Sequence, residues 1–289
     1  MNKIVTRRTL HETVTLMEVE APYIARKAKA GQFIILRIDE EGERIPLTIA
    51  GTDQEKGTVT IIFQKVGATT QRLDCLNEND FLLDFVGPLG TPSEIDEWKG
   101  KKVAVIGGGL GVAIAYPQAK ALHEAGADVD IIVGFRNASL FILVDELEVA
   151  CNNLYVVTDD GSNGNKGFTT TALQEQINAG VKYDCVIAIG PMAMMRAVCN
   201  MTKPLGIPTV VSMNPIMIDG TGMCGGCRVT VGGETKFACV DGPDFDGHLV
   251  DWDEAISRSR MYKKEEQLST EKHSCNLMDV ELQTKRGGN

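Results

Sequence analysis

The stretch Asp219-Gly-Thr-Gly-Met-Cys224-Gly-Gly-Cys227, followed by Cys239, gathers one carboxylate and three thiols in a glycine-rich segment. Plant-type [2Fe–2S] proteins use the spacing C-x4-C-x2-C…C. Here Asp219 stands where the first cysteine would be, and an anionic oxygen can ligate iron. Gly220, Gly222, Gly225 and Gly226 let the chain wrap tightly, because glycine reaches positive φ without a steric penalty. The spacing therefore predicts a [2Fe–2S] site held by Asp219, Cys224, Cys227 and Cys239. Two other readings stay open. Three thiolates and a carboxylate also satisfy tetrahedral zinc, and a glycine-rich turn can simply carry ordinary buried thiols.

A second set of residues is suited to phosphates and rings. Gly107-Gly108-Gly109-Leu-Gly111 lies between a strand-like and a helix-like segment. That position points backbone N–H groups and a helix N-terminus at an anion. It is not a clean G-x-G-x-x-G, since Val112 fills the third slot, and a plain strand–helix turn is the alternative. Gly190-Pro191-Met192 follows another apolar run. In open α/β sheets ligands sit beyond the carboxyl ends of strands, so both motifs could face one dinucleotide. Thr158-Asp-Asp160-Gly161 fits the same edge, or is an ordinary acidic turn. Arg136 either meets a 2′-phosphate or is a loop arginine facing water or an adenine. In Arg44-Ile-Pro46-Leu47-Thr48, the guanidinium can grip a pyrophosphate bidentately and the Thr48 hydroxyl can hydrogen-bond and tune a flavin ring. Gly67-Ala-Thr69-Thr70 could add donors to the same phosphates. Taken alone, an arginine such as Arg44 is more often a surface residue. His11, His123, His248 and His273 follow no ligand spacing, and no Ser-His-Asp or Cys-His arrangement is visible.

These residues need elements to position them. A chain of 289 residues with 43% hydrophobic and 24% charged residues has room for two soluble domains. Its net charge of −10 lacks the basic footprint of a nucleic-acid binder. Residues 1 to 98 carry short β-like runs: Gln32-Phe-Ile-Ile-Leu-Arg-Ile38, Gly57-Thr-Val-Thr-Ile-Ile-Phe63 and Phe81-Leu-Leu-Asp-Phe-Val86. Turn signals between them predict a small β-barrel, with one helix over residues 68 to 76. From residue 99 to 213 the pattern changes to strands alternating with helices. Strands are expected at 103–106, 129–133, 154–157 and 185–189, and helices at 112–125, 141–150 and 170–179. Such alternation implies a parallel sheet covered on both faces. The candidate cluster segment, 214–250, follows, and 251–289 reads as a polar tail with one or two surface helices and a ragged end. The scattered Cys75, Cys151, Cys185, Cys199 and Cys275 do not resemble a secreted disulfide framework. Cys185 and Cys199, in apolar segments, are expected to be inert. No secretory leader or run long enough to span a bilayer is seen, so a cytoplasmic protein is expected.

Together the motifs resemble the ferredoxin-reductase superfamily, and within it the iron–sulfur electron-transfer subunits. The likeness spans residues 1 to about 265. It rests on Asn214-Pro-Ile-Met-Ile-Asp219 through Arg228 and on Ala238-Cys-Val-Asp-Gly-Pro-Asp-Phe-Asp246, with Arg44–Thr48, Gly107–Gly111 and Thr158–Ser162 in support. The sequence is similar to the electron-transfer subunits of dihydroorotate dehydrogenase. It is closer to the small subunits of NADH-dependent reduced ferredoxin:NADP oxidoreductase, also called sulfide dehydrogenase beta subunits, and Asp219 favours that branch. Two departures stand out. Arg44 precedes Thr48 by four residues where the superfamily spaces arginine three before Ser/Thr, and Ile114 stands where relatives often carry proline. The resemblance implies FAD on the barrel and NAD(H) on the α/β domain. It also implies a larger flavin- and [4Fe–4S]-containing partner subunit, reached indirectly by ferredoxin, where electron bifurcation would occur. Because the flavin and cluster motifs fall in different domains, loss of Arg44 is expected to spare the cluster.

Overall fold

The structure, a computed structural model, describes residues 1–271; Cys275, His273 and the end of the expected tail lie outside the described residues. The N-terminal part is an antiparallel sheet of seven strands: β1 (Asn2–His11), β2 (Val14–Glu20), β3 (Phe33–Arg37), β4 (Ile45–Asp53), β5 (Thr58–Gln64), β6 (Phe81–Leu82) and β7 (Asp84–Leu89). Their order is β6-β1-β2-β5-β4-β3-β7. The two edge strands are separated in sequence by Leu83 alone, so the sheet must curl until its edges nearly meet. Ile4, Met17, Val19, Ile34, Leu36, Ile61, Phe63 and Leu82 fill the inside. The run expected as one strand at 81–86 is thus two, broken at Leu83, whose N–H bonds the Ile38 carbonyl instead. The expected helix is α2 (Ala68–Asp74), and a short α1 (Pro22–Ala25) accompanies it.

Strand β3 is apolar on both faces. Ile34 and Leu36 point into the barrel, whereas Phe33 and Ile35 pack outward on Met217, Cys227, Ala238 and Cys239. That explains the unbroken hydrophobic run, which alternation alone would not produce.

The second part alternates β8 (Lys102–Gly108), α3 (Gly111–Glu124), β9 (Asp128–Phe135), α4 (Val144–Glu148), β10 (Asn153–Thr158), α5 (Thr169–Asn178), β11 (Cys185–Ile189), α6 (Met192–Thr202) and β12 (Thr209–Ser212). The helix expected over 141–150 is only the short α4. The sheet order β10-β9-β8-β11-β12 is parallel throughout. The chain leaves β8 to one side and returns to the other at β11, so the topological switch point lies between these two strands. At the opposite, N-terminal end, the buried Asp130 carboxylate accepts from Lys102 Nζ at 2.6 Å, Asn153 Nδ2 at 2.7 Å and Tyr183 Oη at 2.8 Å. Burial and this carboxylate push the Tyr183 phenol well up. Cys185 and Cys199 are buried, and burial pushes each thiol up to about 12.

The two parts share a core. Val14, Ala50 and Ile62 of the barrel pack with Val112, Ala113, Ala115 and Ala119 of α3, where small side chains let the helix approach closely. The last strands, β13 (Arg228–Val231), β14 (Glu234–Phe237) and β15 (Asp244–Asp246), precede α7 (Trp252–Arg258). β13 and β14 form a hairpin, and β15 joins β12 antiparallel at the edge of the α/β sheet. Far from lying free on the surface, α7 buries Trp252 and Ala255 among Val198, Val229 and Val250, with Trp252 Nε1 donating to Gly247 O at 3.0 Å.

Asp244 on β15 ties these pieces together. Its carboxylate accepts from Ser93 Oγ at 2.5 Å, on the linker leaving the barrel, and from Gln118 Nε2 of α3 at 3.2 Å. Ser212 of β12 is its direct partner across the sheet. Burial raises this carboxyl above its ordinary value despite those bonds. Asp244→Ala is expected to cost about 2–3 kcal/mol, since it strands buried donors on the linker and on α3. Between the ordinary and the raised value the folded chain binds the extra proton, so this group's contribution to stability falls as pH rises through that window. Asp244→Asn should remove that slope. Urea unfolding of both variants over a mildly acidic to neutral series checks both statements.

Candidate cofactor sites

The loop between β12 and β13 brings the four predicted cluster ligands together as two pairs. Cys224 Sγ lies 3.3 Å from Asp219 Oδ1, and Cys227 Sγ lies 3.2 Å from Cys239 Sγ. The first pair is at the surface, with Cys224 exposed, whereas Cys227 and Cys239 are buried against Phe33 and Ile35. Among the described residues no three His, Cys, Asp or Glu side chains converge as one metal-ion site. A single tetrahedral zinc needs four donors around one point. A two-iron cluster needs two donors for each of two irons, and this arrangement supplies them. The residues therefore fit a [2Fe–2S] cluster.

The loop's own backbone prepares Asp219. Its carboxylate accepts from Met223 N at 2.9 Å, Cys224 N at 3.2 Å and Thr221 Oγ1 at 3.0 Å. Partial desolvation opposes the charge, but these bonds and the Cys224 thiol outweigh it and hold the carboxyl at about 2. The oxygen donor is thus anionic at neutral pH. Burial, then the neighbouring Cys227 thiol, push Cys239 up to about 12, so a metal held there would have to displace its proton. Gly220 has φ +79°, and a Cβ there would stand 2.7 Å from Ile35 Cδ1 and Leu89 Cδ1. Only glycine lets the loop lie this close to the barrel.

The expected flavin residues sit on one rim of the barrel. Pro46, Leu47 and Thr48 lie on β4, paired with Ile35, Ile34 and Phe33 of β3, and all are half-buried. Gly67 opens α2, whose first turn holds Thr69 and Thr70. The Thr70 hydroxyl already caps that turn, accepting from Gly67 N at 3.1 Å and donating to Gly67 O at 3.0 Å. Thr69 Oγ1 donates to Glu43 at 2.6 Å. Arg44 is the surprise. Its Nε donates to the Ile218 carbonyl at 2.8 Å, and its Nη1 meets Asp84 Oδ2 at 3.3 Å. Ile218 adjoins Asp219, so the expected separation of Arg44 from the cluster loop does not hold. Sequence spacing could not reveal a contact across 174 positions.

The expected dinucleotide residues other than Asp160 converge at the switch point. Gly107 of β8 pairs with Ile189 of β11, which sets Gly107–Gly111 and Gly190–Met192 side by side. Gly108 faces Pro191 and Met194, and Gly111 opens α3 so tightly that a Cβ would stand 2.4 Å from Ile189 O. Asp160 lies two strands away, beyond β10, its carboxylate taken by Ser162 N at 2.9 Å in a local turn. Arg136 is exposed at the end of β9. The packing of α3 on Ala50 places this crevice beside the Thr48 rim of the barrel.

A family model for the iron–sulfur cluster binding domain of dihydroorotate dehydrogenase B matches residues 214–251. A Thermotoga maritima protein named dihydroorotate dehydrogenase B (NAD(+)), electron transfer subunit homolog, is 44% identical over 94% of this chain and 95% of its own. The chain belongs to the dihydroorotate dehydrogenase B electron-transfer-subunit family. As a member of that family it is an oxidoreductase subunit of the flavin and iron–sulfur type. An uncharacterised Clostridium beijerinckii protein in the adh 3′ region is 57% identical over 92% of both chains. Among solved structures, a chain from work on flavin-based electron bifurcation by NADH-dependent reduced ferredoxin-NADP oxidoreductase superposes with a TM-score of 0.88. It is 44% identical and covers 94% of this chain and 97% of that one. The fold is therefore ferredoxin-reductase-like, with the iron–sulfur domain at its C-terminal side. No helix among the described residues is long and apolar enough to cross a membrane.

For this electron-transfer subunit, Gly111→Ala is expected to destabilise the chain by about 1–3 kcal/mol, as overpacking does, and to weaken NADH binding by displacing the α3 N-terminus. Gly109 has open space but φ +55°, so Gly109→Ala should cost about 1 kcal/mol through backbone strain. Urea unfolding and NADH fluorescence titration separate the two.

Proposed function

We propose that this chain is the hydride-exchanging electron-transfer subunit of an NADH-dependent reduced ferredoxin:NADP oxidoreductase. It would pass electrons to a larger flavin- and [4Fe–4S]-containing subunit in a heterodimer, with ferredoxin served through that partner. The observation that carries this reading is the two donor pairs, Asp219/Cys224 at the surface and Cys227/Cys239 packed on the barrel strand that pairs with Pro46–Thr48. The aspartate in the first ligand position and the 44% identity over nearly the full length favour this branch.

The cofactors are FAD, a [2Fe–2S] cluster and NAD(H). When bound, the flavin supplies conversion between the two-electron chemistry of a nicotinamide and the one-electron chemistry of the cluster. The chain's own residues hold and orient. Arg44 keeps donors beyond those spent on Ile218 and Asp84, and these would meet the FAD pyrophosphate. Gly67, Thr69 and Thr70 border the same phosphates, and Pro46, Leu47 and Thr48 border the ring, where the Thr48 hydroxyl would tune it. Gly107, Gly108, Gly109 and Gly111 present backbone N–H groups and the α3 N-terminus to the NAD pyrophosphate. Gly190, Pro191 and Met192 form the facing wall, with Asp160 at the rim. No general acid is required of the protein. As domains, we read 1–98 as the FAD barrel, 99–213 as the NAD domain, 214–250 as the cluster segment and 251–289 as the C-terminal helical part, in a cytoplasmic protein.

The family model favours a second reading, an electron-transfer subunit of dihydroorotate dehydrogenase. Anaerobic purification of the native complex decides between them. The first reading expects a [4Fe–4S] partner, one FAD, about two irons and two sulfides per copy of this chain, and no response to dihydroorotate. Reduction of the complex by dihydroorotate would transfer the assignment to the second. Zinc without sulfide would end both. Asp219→Ala should lose iron, and Asp219→Cys should keep it with a shifted midpoint potential. NADH should bleach the flavin no later than the cluster. An NADPH preference above about tenfold, roughly 1.4 kcal/mol, would move Arg136 into a 2′-phosphate site.

A further inference from the structure

Two arginines from different parts of the fold reach the same loop. Arg44, at the start of β4 in the barrel, donates from Nε to Ile218 O at 2.8 Å. Arg258, in the last turn of α7, donates from Nη2 to Gly226 O at 3.1 Å. Ile218 immediately precedes Asp219, and Gly226 immediately precedes Cys227. Each guanidinium therefore fixes the peptide leading into one donor pair, Arg44 that of Asp219/Cys224 and Arg258 that of Cys227/Cys239. A third arginine, Arg228, donates to Gly225 O at 3.3 Å, but it belongs to the loop and anchors it to nothing else.

Both anchors are themselves held. Arg44 is pinned by Asp84, which also takes Arg37 Nε at 2.8 Å. Arg258 sits on a helix fixed by buried Trp252 and by the Asp251 cap on Glu254 N at 3.0 Å. Their charges differ in effect. The Arg44 charge is offset by Asp84, whereas Arg258 makes no ion pair among the described residues.

We propose that Arg258 and Arg44 are positioning residues of the cluster site, one clamp from the C-terminal helix and one from the barrel, each setting half of the ligand frame. This rests on the [2Fe–2S] reading above. It makes Arg44 a joint between the flavin rim and the cluster loop, and it gives α7 a role in the cluster. A nearby cation favours the more negative, reduced cluster, so the unpaired Arg258 charge should raise its potential more than Arg44 does.

The test uses the purified native complex, with deflavinated wild type as the control for any loss of FAD in Arg44 variants. Iron and sulfide content, the electron paramagnetic resonance of the dithionite-reduced cluster, its midpoint potential and the rate of iron release to a chelator are measured. Arg258→Gln should keep its FAD, release iron on the order of tenfold faster, as loss of a charge-assisted hydrogen bond implies, and show shifted g-values and a lowered potential. Arg258→Lys should recover the potential but not the release rate, because a point charge replaces the planar fork. Arg44→Ala should release iron faster than deflavinated wild type, with a smaller change in potential. Thermal melts identify any variant that fails to fold, and Arg258→Lys and Arg44→Lys then carry the comparison. Folded Gln and Ala variants that match their controls in g-values, potential and release rate would overturn the clamp. Zinc and no sulfide in wild type would instead overturn the cluster reading on which it stands.

Discussion

One buried carboxylate holds the parts of this molecule in register. Asp244 sits inside the protein with the Ser93 hydroxyl and the Gln118 amide hydrogen-bonded to it and Ser212 paired with it across the sheet. Those groups belong to the linker from the barrel, to α3 and to β12. A buried carboxylate without partners costs far more than any one of these bonds returns, so the arrangement is strict. If one segment moves away, the other donors and the acceptor lose their partners together. The consequence reaches the candidate sites. β15 carries Asp244 and ends the segment that begins with the cluster loop, and α3 begins at the glycine turn facing the dinucleotide crevice. Fixing Asp244 fixes where both begin.

The second organising element is β3. Its inward residues, Ile34 and Leu36, complete the barrel core, while Phe33 and Ile35 face the cluster loop. On its other edge it pairs with β4, which carries Pro46 to Thr48. Pro46 to Thr48 and the buried Cys227/Cys239 pair therefore meet one strand pair, β3 and β4, rather than lying on parts joined only by a linker. An electron-transfer subunit needs short, fixed separations between its redox groups, and a strand buried on both faces is a stiff spacer. Gly220 shows how little slack there is, because even a methyl group there would collide with Ile35 and Leu89.

Much of this was legible in the residues. The alternation of apolar runs and helical segments from Val103 to Ile189 gave the parallel sheet, and Cys185 to Ile189 falls at the expected bounds. The cysteine spacing singled out Asp219, Cys224, Cys227 and Cys239, which the fold sets in two close pairs. What escaped was of two kinds. Local patterns too weakly apolar to stand out, such as β1, where only Ile4 is buried across ten residues, were missed. So was the break at Leu83 that divides the expected 81–86 strand into β6 and β7. The other kind was long-range. Nothing in the sequence near Arg44 or Arg258 announces that each will meet the cluster loop, and nothing near Ser93 points to Asp244. Side chain–backbone bonds have no periodicity to read, and they appear only once the chain has closed on itself.

The donor set carries its own asymmetry. Cys227 and Cys239 lie in an apolar pocket, and desolvation keeps the metal-free Cys239 thiol protonated. Asp219 and Cys224 lie at the surface, and there the loop's own N–H groups hold the carboxylate charged without any metal. The Asp219 carboxylate is thus charged and open to water, while Cys239 is buried and would have to give up its proton to bind a metal. A cysteine in place of Asp219 would bring a softer ligand with weaker hydrogen bonds to those same amides, removing the anion that the loop is folded around. Asp219 is therefore more than a stand-in for a thiol, because the turn from Gly220 to Cys224 is built on its two oxygens.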